Sequence, residues 1–141
     1  MDHAATMRRL YDLINADDLD GFGELLADDF LEHEDLPVQT TGREAPRQLF
    51  TMFRAAFPDM HWTAEDVLPS GDKVVARARV TGTHRGEFMG IPATGKSIDV
   101  PLIDIIRFGD DGLAHEHWGI FDQMKMMQQL GVAPGPGGPA A

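Results

Sequence analysis

The hydrophobic period of this chain changes near Pro58, and that change limits what it can fold into. Before Pro58 apolar residues recur at helical spacing, and from residue 60 onward they alternate. Met7, Leu10, Tyr11 and Ile14 mark one face of an amphipathic helix over 3–15. Asp17-Asp18 supplies N-cap chemistry for a short second helix ending near Leu26, weakened by Gly21 and Gly23. Leu49, Phe50, Phe53 and Phe57 repeat the helical pattern over 43–57, where Pro58 stops it. Lys73–Thr81 then alternates, with Val74, Ala76, Ala78 and Val80 on one side and Arg77 and Arg79 on the other. The segment MHWTAEDVLPSGD enters that strand through a Ser-Gly turn, which predicts a hairpin. Two more strands flank Gly109–Gly112, and a last helix runs from Asp122 to Leu130 with Gly131 as its C-terminal glycine. Helices first and an antiparallel meander afterwards predict an α+β fold.

At 141 residues and 43% hydrophobic content the chain suits one domain with a real core. That domain is expected over 1–131, followed by a disordered Gly/Pro/Ala tail over 132–141. No apolar run approaches the roughly 20 residues of a membrane span, and MDHAATMRRL carries no signal-peptide core, so the expected location is the cytoplasm. The absence of cysteine excludes disulfides and thiolate chemistry. A net charge of −11 opposes binding to nucleic acid or an anionic membrane.

The hairpin over 100–121 holds the residues best suited to chemistry. A two-residue loop at Asp110-Asp111, or a four-residue loop over Gly109–Gly112, sets Asp104 opposite His117. A turn at Asp111-Gly112 moves the partner of Asp104 to Gly119 and keeps His117 on its face. A three-residue loop or a bulge would part them. Directly opposed residues have Cβ atoms about 4.5–5.5 Å apart, within carboxylate–imidazole reach. Asp104 is flanked by Leu102 and Ile106 on its own face, where an unpaired charge is costly. An imidazole lowers that cost, and the carboxylate fixes its tautomer and raises its basicity. Such a dyad in an apolar pocket suits proton abstraction beside a carbonyl. A structural core pair satisfying itself is the alternative.

The run THRGEFMGIPATGK, PLIDIIRF, GDDG, LAHEHWGIF and DQMKMMQQLG resembles the SnoaL-like polyketide cyclases of the nuclear transport factor 2-like superfamily. NADDLDGFGELLADDFLEH and FPDMHW extend the likeness more loosely over almost the whole chain. The resemblance implies a curved antiparallel sheet closed by N-terminal helices into a cone-shaped pocket, as in ketosteroid isomerase-like folds. It implies a polar residue looking into the pocket at Asp104, a carboxylate at Asp122 and a sheet-to-sheet homodimer. It also implies an acid/base aspartate after the bulky residue of the last strand, where this chain reads EHWGIFD and carries Gly119 instead. His117 lies two residues earlier on the same face. Asp122 equally serves as a helix N-cap.

His33, after the strand-like FLEH, is expected near the pocket mouth, where it binds or protonates a carbonyl or belongs to the exposed turn HEDLP. His33-Glu34-Asp35 with His115-Glu116-His117 raises a metal reading, but H-x-H alone is a weak signal, and neither metal nor cofactor is expected. Phe53, Phe57, Trp62, Phe88, Met89, Ile106 and Phe121 are the expected substrate-binding wall. On the other face of the hairpin Ile103, Ile105, Trp118 and Ile120 leave apolar surface for a second copy of the chain. The functional expectation is a cofactor-independent acid–base enzyme of secondary metabolism. It would close a ring in, or isomerise, a hydrophobic carbonyl-rich molecule, with His117 as base, Asp104 as its orienter and His33 as donor. Gly119 keeps a hydroxylase-like component of such pathways open, and a non-catalytic binder of small apolar ligands is the remaining alternative.

Overall fold

The computed structural model describes residues 2–135, so the expected tail falls outside the described residues from position 136 onward. The period change is realised as anticipated. Helices α1 (His3–Asn15), α2 (Leu19–Glu24) and α3 (Glu44–Ala56) occupy the first part. Strands β2 (His61–Ser70), β3 (Lys73–Thr83), β4 (Ser97–Phe108) and β5 (Ala114–Phe121) follow, and α4 (Gln123–Gln129) closes the chain. The Asp2, Asp18 and Asp122 side chains cap α1, α2 and α4, each accepting from a backbone N–H within the first turn.

One strand departs from the antiparallel expectation. β1 (Leu26–Glu32) lies between α2 and α3 in sequence and joins the far edge of the sheet, giving the order β1-β5-β4-β3-β2. Its pairing with β5 is parallel, setting Glu32 beside His117, while every other pairing is antiparallel. The sheet is curved and unclosed. Its inner face carries Val74, Ala76, Ala78 and Val80 from β3 with Ile98, Val100, Leu102 and Ile106 from β4, all buried in one core. Helix α1 adds Met7, Leu10, Tyr11 and Ile14, and α3 adds Phe53 and Ala56.

The segment after β3 bends back onto α3. The amides of Arg85 and Gly86 both donate to the Ala56 carbonyl, at 2.9 and 3.1 Å. A Cβ on Gly86 would stand 2.6 Å from the Ala55 carbonyl oxygen, so only glycine permits this approach. Buried His84 fixes the other end, with Nδ1 3.1 Å from the Thr94 hydroxyl. Between these anchors Phe88 and Ile91 pair across a tight turn at Met89-Gly90 and carry Phe88 and Met89 over the inner face.

A candidate active site under the curved sheet

The register of the β4–β5 hairpin differs from the one drawn with two- or four-residue loops. A three-residue loop connects Gly109 to Leu113, whose carbonyl accepts from the Gly109 amide at 3.0 Å. A bulge then places Phe108 opposite Ala114 but Arg107 opposite Glu116. Either irregularity alone moves His117 to the other face; together they cancel. Asp104 therefore lies opposite Gly119 and His117 opposite Ile106, on a shared face. The two side chains meet diagonally, with His117 Nε2 2.7 Å from Asp104 Oδ1.

Three further residues complete the arrangement: Glu32 and Tyr11, which the sequence reading did not single out for chemistry, and Glu34, which entered there only through the metal reading. Glu32, brought alongside by the parallel β1–β5 pairing, holds His117 Nδ1. The Tyr11 hydroxyl, from α1, donates to the second oxygen of Asp104. Glu34, just beyond β1, lines the same cavity, and its carboxyl lies within 4.8 Å of ligand atoms of Asp104 and His117. A buried tyrosine hydroxyl needs a partner, which was the one available signal for Tyr11. Glu32 and Glu34 alternate along FLEHE, but only the parallel pairing reveals where they point.

Electrostatics assign different states to these groups. Burial alone would push the His117 imidazole down. Hydrogen bonds to Asp104 and Glu32, with their negative charges, outweigh it and lift the ring to about 10. At neutral pH it is an imidazolium giving one N–H to each carboxylate. Both ring nitrogens are taken up by carboxylates, so neither is free for a substrate proton in this arrangement, in contrast to the base role expected for it. Burial, the charge of Asp104 and the hydrogen bond to it together raise the Tyr11 phenol, so it stays protonated. Glu34 is pushed up to about 7, mainly by burial; Asp104 and Glu32 add to the shift and His117 opposes it.

The cavity beneath these groups is about 520 Å³ and mostly apolar. Of the residues expected to bind substrate, Phe53, Trp62, Phe88, Met89, Ile106 and Phe121 line it. Phe57 does not: it is fully buried behind the wall, stacked on Phe53 and His84. His33 sits at the rim, but its ring stacks on Trp118 and lies 2.8 Å from Glu116 on the outer side of the sheet. It does not join the Asp104–His117 cluster, because β1 runs as a strand and alternation turns residue 33 away from residue 32. Asp122 caps α4 through the Lys125 amide at 3.0 Å and does not line the cavity.

A metal-binding reading would use Glu34, Asp104 and His117. The imidazolium has no free nitrogen, so an ion would have to displace both a proton and a hydrogen bond. His115, from the other histidine set, lies near the turn against Asp111 at 3.0 Å.

A curved sheet under helices, with ionisable groups gathered in an apolar hollow, defines the cone-pocket class of small-molecule proteins. The family model of the SnoaL-like polyketide cyclases matches residues 4–130, and the chain belongs to that family. IdmH, a proposed polyketide cyclase from Streptomyces antibioticus, shares 34% identity over 94% of this chain and 100% of its own, with a TM-score of 0.80. AclR, a proposed hydroxylase from Streptomyces galilaeus, shares 29% identity over 94% of this chain and 98% of its own, with a TM-score of 0.83. TsrD from Streptomyces laurentii shares 30% identity over 91% and 96%, with a TM-score of 0.80. Among curated proteins none matches in sequence.

Proposed function

We propose that this chain is a cofactor-independent acid–base enzyme of secondary metabolism, working in the cytoplasm. In this reading it closes a ring in, or isomerises, an apolar carbonyl-rich molecule by proton transfer. The observation that carries the reading is the hydrogen-bonded Tyr11–Asp104–His117–Glu32 cluster at the wall of an otherwise apolar cavity. Proton transfer beside a carbonyl needs ionisable groups held in place at such a wall. Asp104 and Glu32 hold the ring in place and in its charged form. Trp62 borders the cavity with its ring, while its indole N–H is buried out of reach of it.

The test is hydrogen exchange at carbon. Apolar aryl ketones and linear triketones, with 2-tetralone as reference, are incubated with the protein in D₂O and followed by mass spectrometry and NMR. Enzyme-dependent deuterium uptake beside a carbonyl, or ring closure without change of mass, is expected, with strong loss in Asp104→Asn. Binding without exchange would reduce the protein to a ligand carrier. Product that forms only in the presence of oxygen would favour the hydroxylase reading, which the likeness to AclR and the glycine at position 119 keep as the second choice.

A symmetric dimer through the outer face accompanies this reading. Ile103 and Ile120 are opposite each other there and are 41% and 76% exposed, much for paired isoleucines at the middle of a sheet. Sedimentation at micromolar concentration should give twice the chain mass, and Ile120→Lys should halve it. A monomeric wild type would remove the proposal.

A further inference from the structure

The cluster that fixes His117 leaves two lining carboxyls of the cavity unused, Glu34 and Asp35, and of these Asp35 is exposed while Glu34 is partly buried beside the cluster. Glu32 and Asp104 each spend an oxygen on the imidazolium, and Asp104 accepts from Tyr11 with the other. Glu34 lines the cavity half-buried, and no hydrogen bond or ion pair among the described residues engages its carboxyl. Its position depends on the glycine opposite Asp104. A Cβ on Gly119 would stand 2.1 Å from Glu34 Oε1 and 2.8 Å from the His117 ring. A side chain at 119 and the present Glu34 carboxyl cannot coexist. Glycine there gives a residue from the segment after β1 access to a place that β5 itself would otherwise fill.

We propose that Glu34 is the catalytic residue that takes and returns the substrate proton, with the His117 imidazolium as a fixed electrostatic partner. The inference rests on the acid–base reading above and assigns its proton carrier. In a ring closure the Glu34 carboxylate takes a proton from a carbon beside a carbonyl. The electron pair of that C–H bond forms the new C–C bond to a second carbonyl of the same molecule. The π pair of that second carbonyl becomes an alkoxide, which recovers the proton from Glu34. The carboxylate is regenerated and no co-reactant is consumed. The charged and titratable groups facing Glu34 are His117, Asp104 and Glu32. Burial and the two carboxylates hold its proton affinity near neutrality, where a group can both accept and return a proton.

The experiment uses the full chain and the ketone that exchanges fastest in the wild type. Glu34→Gln should lower exchange by about 10²–10⁴-fold, with unchanged circular dichroism. Glu34→Ala should recover part of the rate on adding formate, a rescue that a structural role would not permit. The wild-type rate should rise with pH through a midpoint near 7 and lose that midpoint in Glu34→Gln; ¹³C NMR of the Glu34 carboxyl should show the same titration. Exchange by the wild type that persists undiminished in Glu34→Gln, or a carboxyl titrating in the ordinary glutamate range, overturns the assignment of Glu34 alone. Failure of the wild type to exchange any bound ketone overturns the acid–base reading and this inference with it.

Discussion

The β4–β5 hairpin carries acid–histidine contacts on both of its faces, and their surroundings make them different objects. On the inner face His117 lies between Asp104 and Glu32, all with less than a fifth of the side chain exposed. On the outer face Glu116 bridges Arg107 and His33, each at 2.8 Å, in contact with solvent. The distances are alike and the residue types nearly so. Water screens the outer contacts, whereas inside each group depends on its neighbours for its charge state. Strand alternation, one residue at a time, decides which kind of pair a side chain joins.

The comparison breaks most sharply where an inner partner is removed. His117→Leu leaves the mostly buried Glu32 and Asp104 carboxylates without their cation and should cost about 3–5 kcal/mol in urea unfolding. A loss below about 1 kcal/mol, the range of surface pairs, would place the cluster in contact with water after all. Next in size is a dependence on pH. The folded-state affinity of His117 lies above its ordinary value, 6.5 against about 10. Its stabilising contribution is therefore complete below about 6.5 and is lost as the pH rises through about 10. At about 1.4 kcal/mol per unit this amounts to several kcal/mol. A urea midpoint that falls steadily from pH 6.5 to 10, and a flatter profile in His117→Leu, is the expected pair of results. Equal slopes would remove His117 as their cause.

A smaller effect of opposite sense separates Glu34 from its neighbours. Its raised proton affinity, about 7 against 4.5, means that ionisation works against folding. Its contribution is favourable below about 4.5 and fades as the pH rises through about 7. Glu34→Gln should thus raise the melting temperature at pH 8 and leave it nearly unchanged at pH 4, while impairing proton transfer. A structural carboxylate would destabilise on the same substitution. Gains that come with loss of activity mark a site held in an unfavourable state for function.

Much of this was legible in the sequence because it depends on local period. The helices over 3–15 and 43–57, the alternation of Lys73–Thr81 and the shared face of Asp104 and His117 all follow from spacing within single elements or one hairpin. The remainder depends on a non-local pairing. FLEH reads as a strand, but nothing in it states that β1 crosses to the far edge and runs parallel to β5. That pairing delivers Glu32 and Glu34 to the site and sends His33 outward. Tyr11 was read as one more apolar position of α1, since period does not report where a hydroxyl points. The loop and bulge at Gly109–His115 cancel in effect, so Asp104 faces Gly119 with His117 on its face, the pairing expected for a turn at Asp111-Gly112, reached here by a different loop.

The outer pair supplies the mildest test, and its value lies in how little should happen. Arg107 foremost, then His33, holds the Glu116 carboxyl below the usual glutamate range, at a surface where all three side chains keep some exposure. Salt at 0.5 M should weaken these contacts, since the screening length falls to only a few ångströms. Glu116→Gln and His33→Ala should therefore leave ketone exchange and its pH midpoint unaltered and move the melting temperature little. A marked loss of exchange in His33→Ala would show that its ring leaves Trp118 and enters the cavity when substrate binds. That result would erase the distinction between the two faces and return His33 to the reaction as a proton donor.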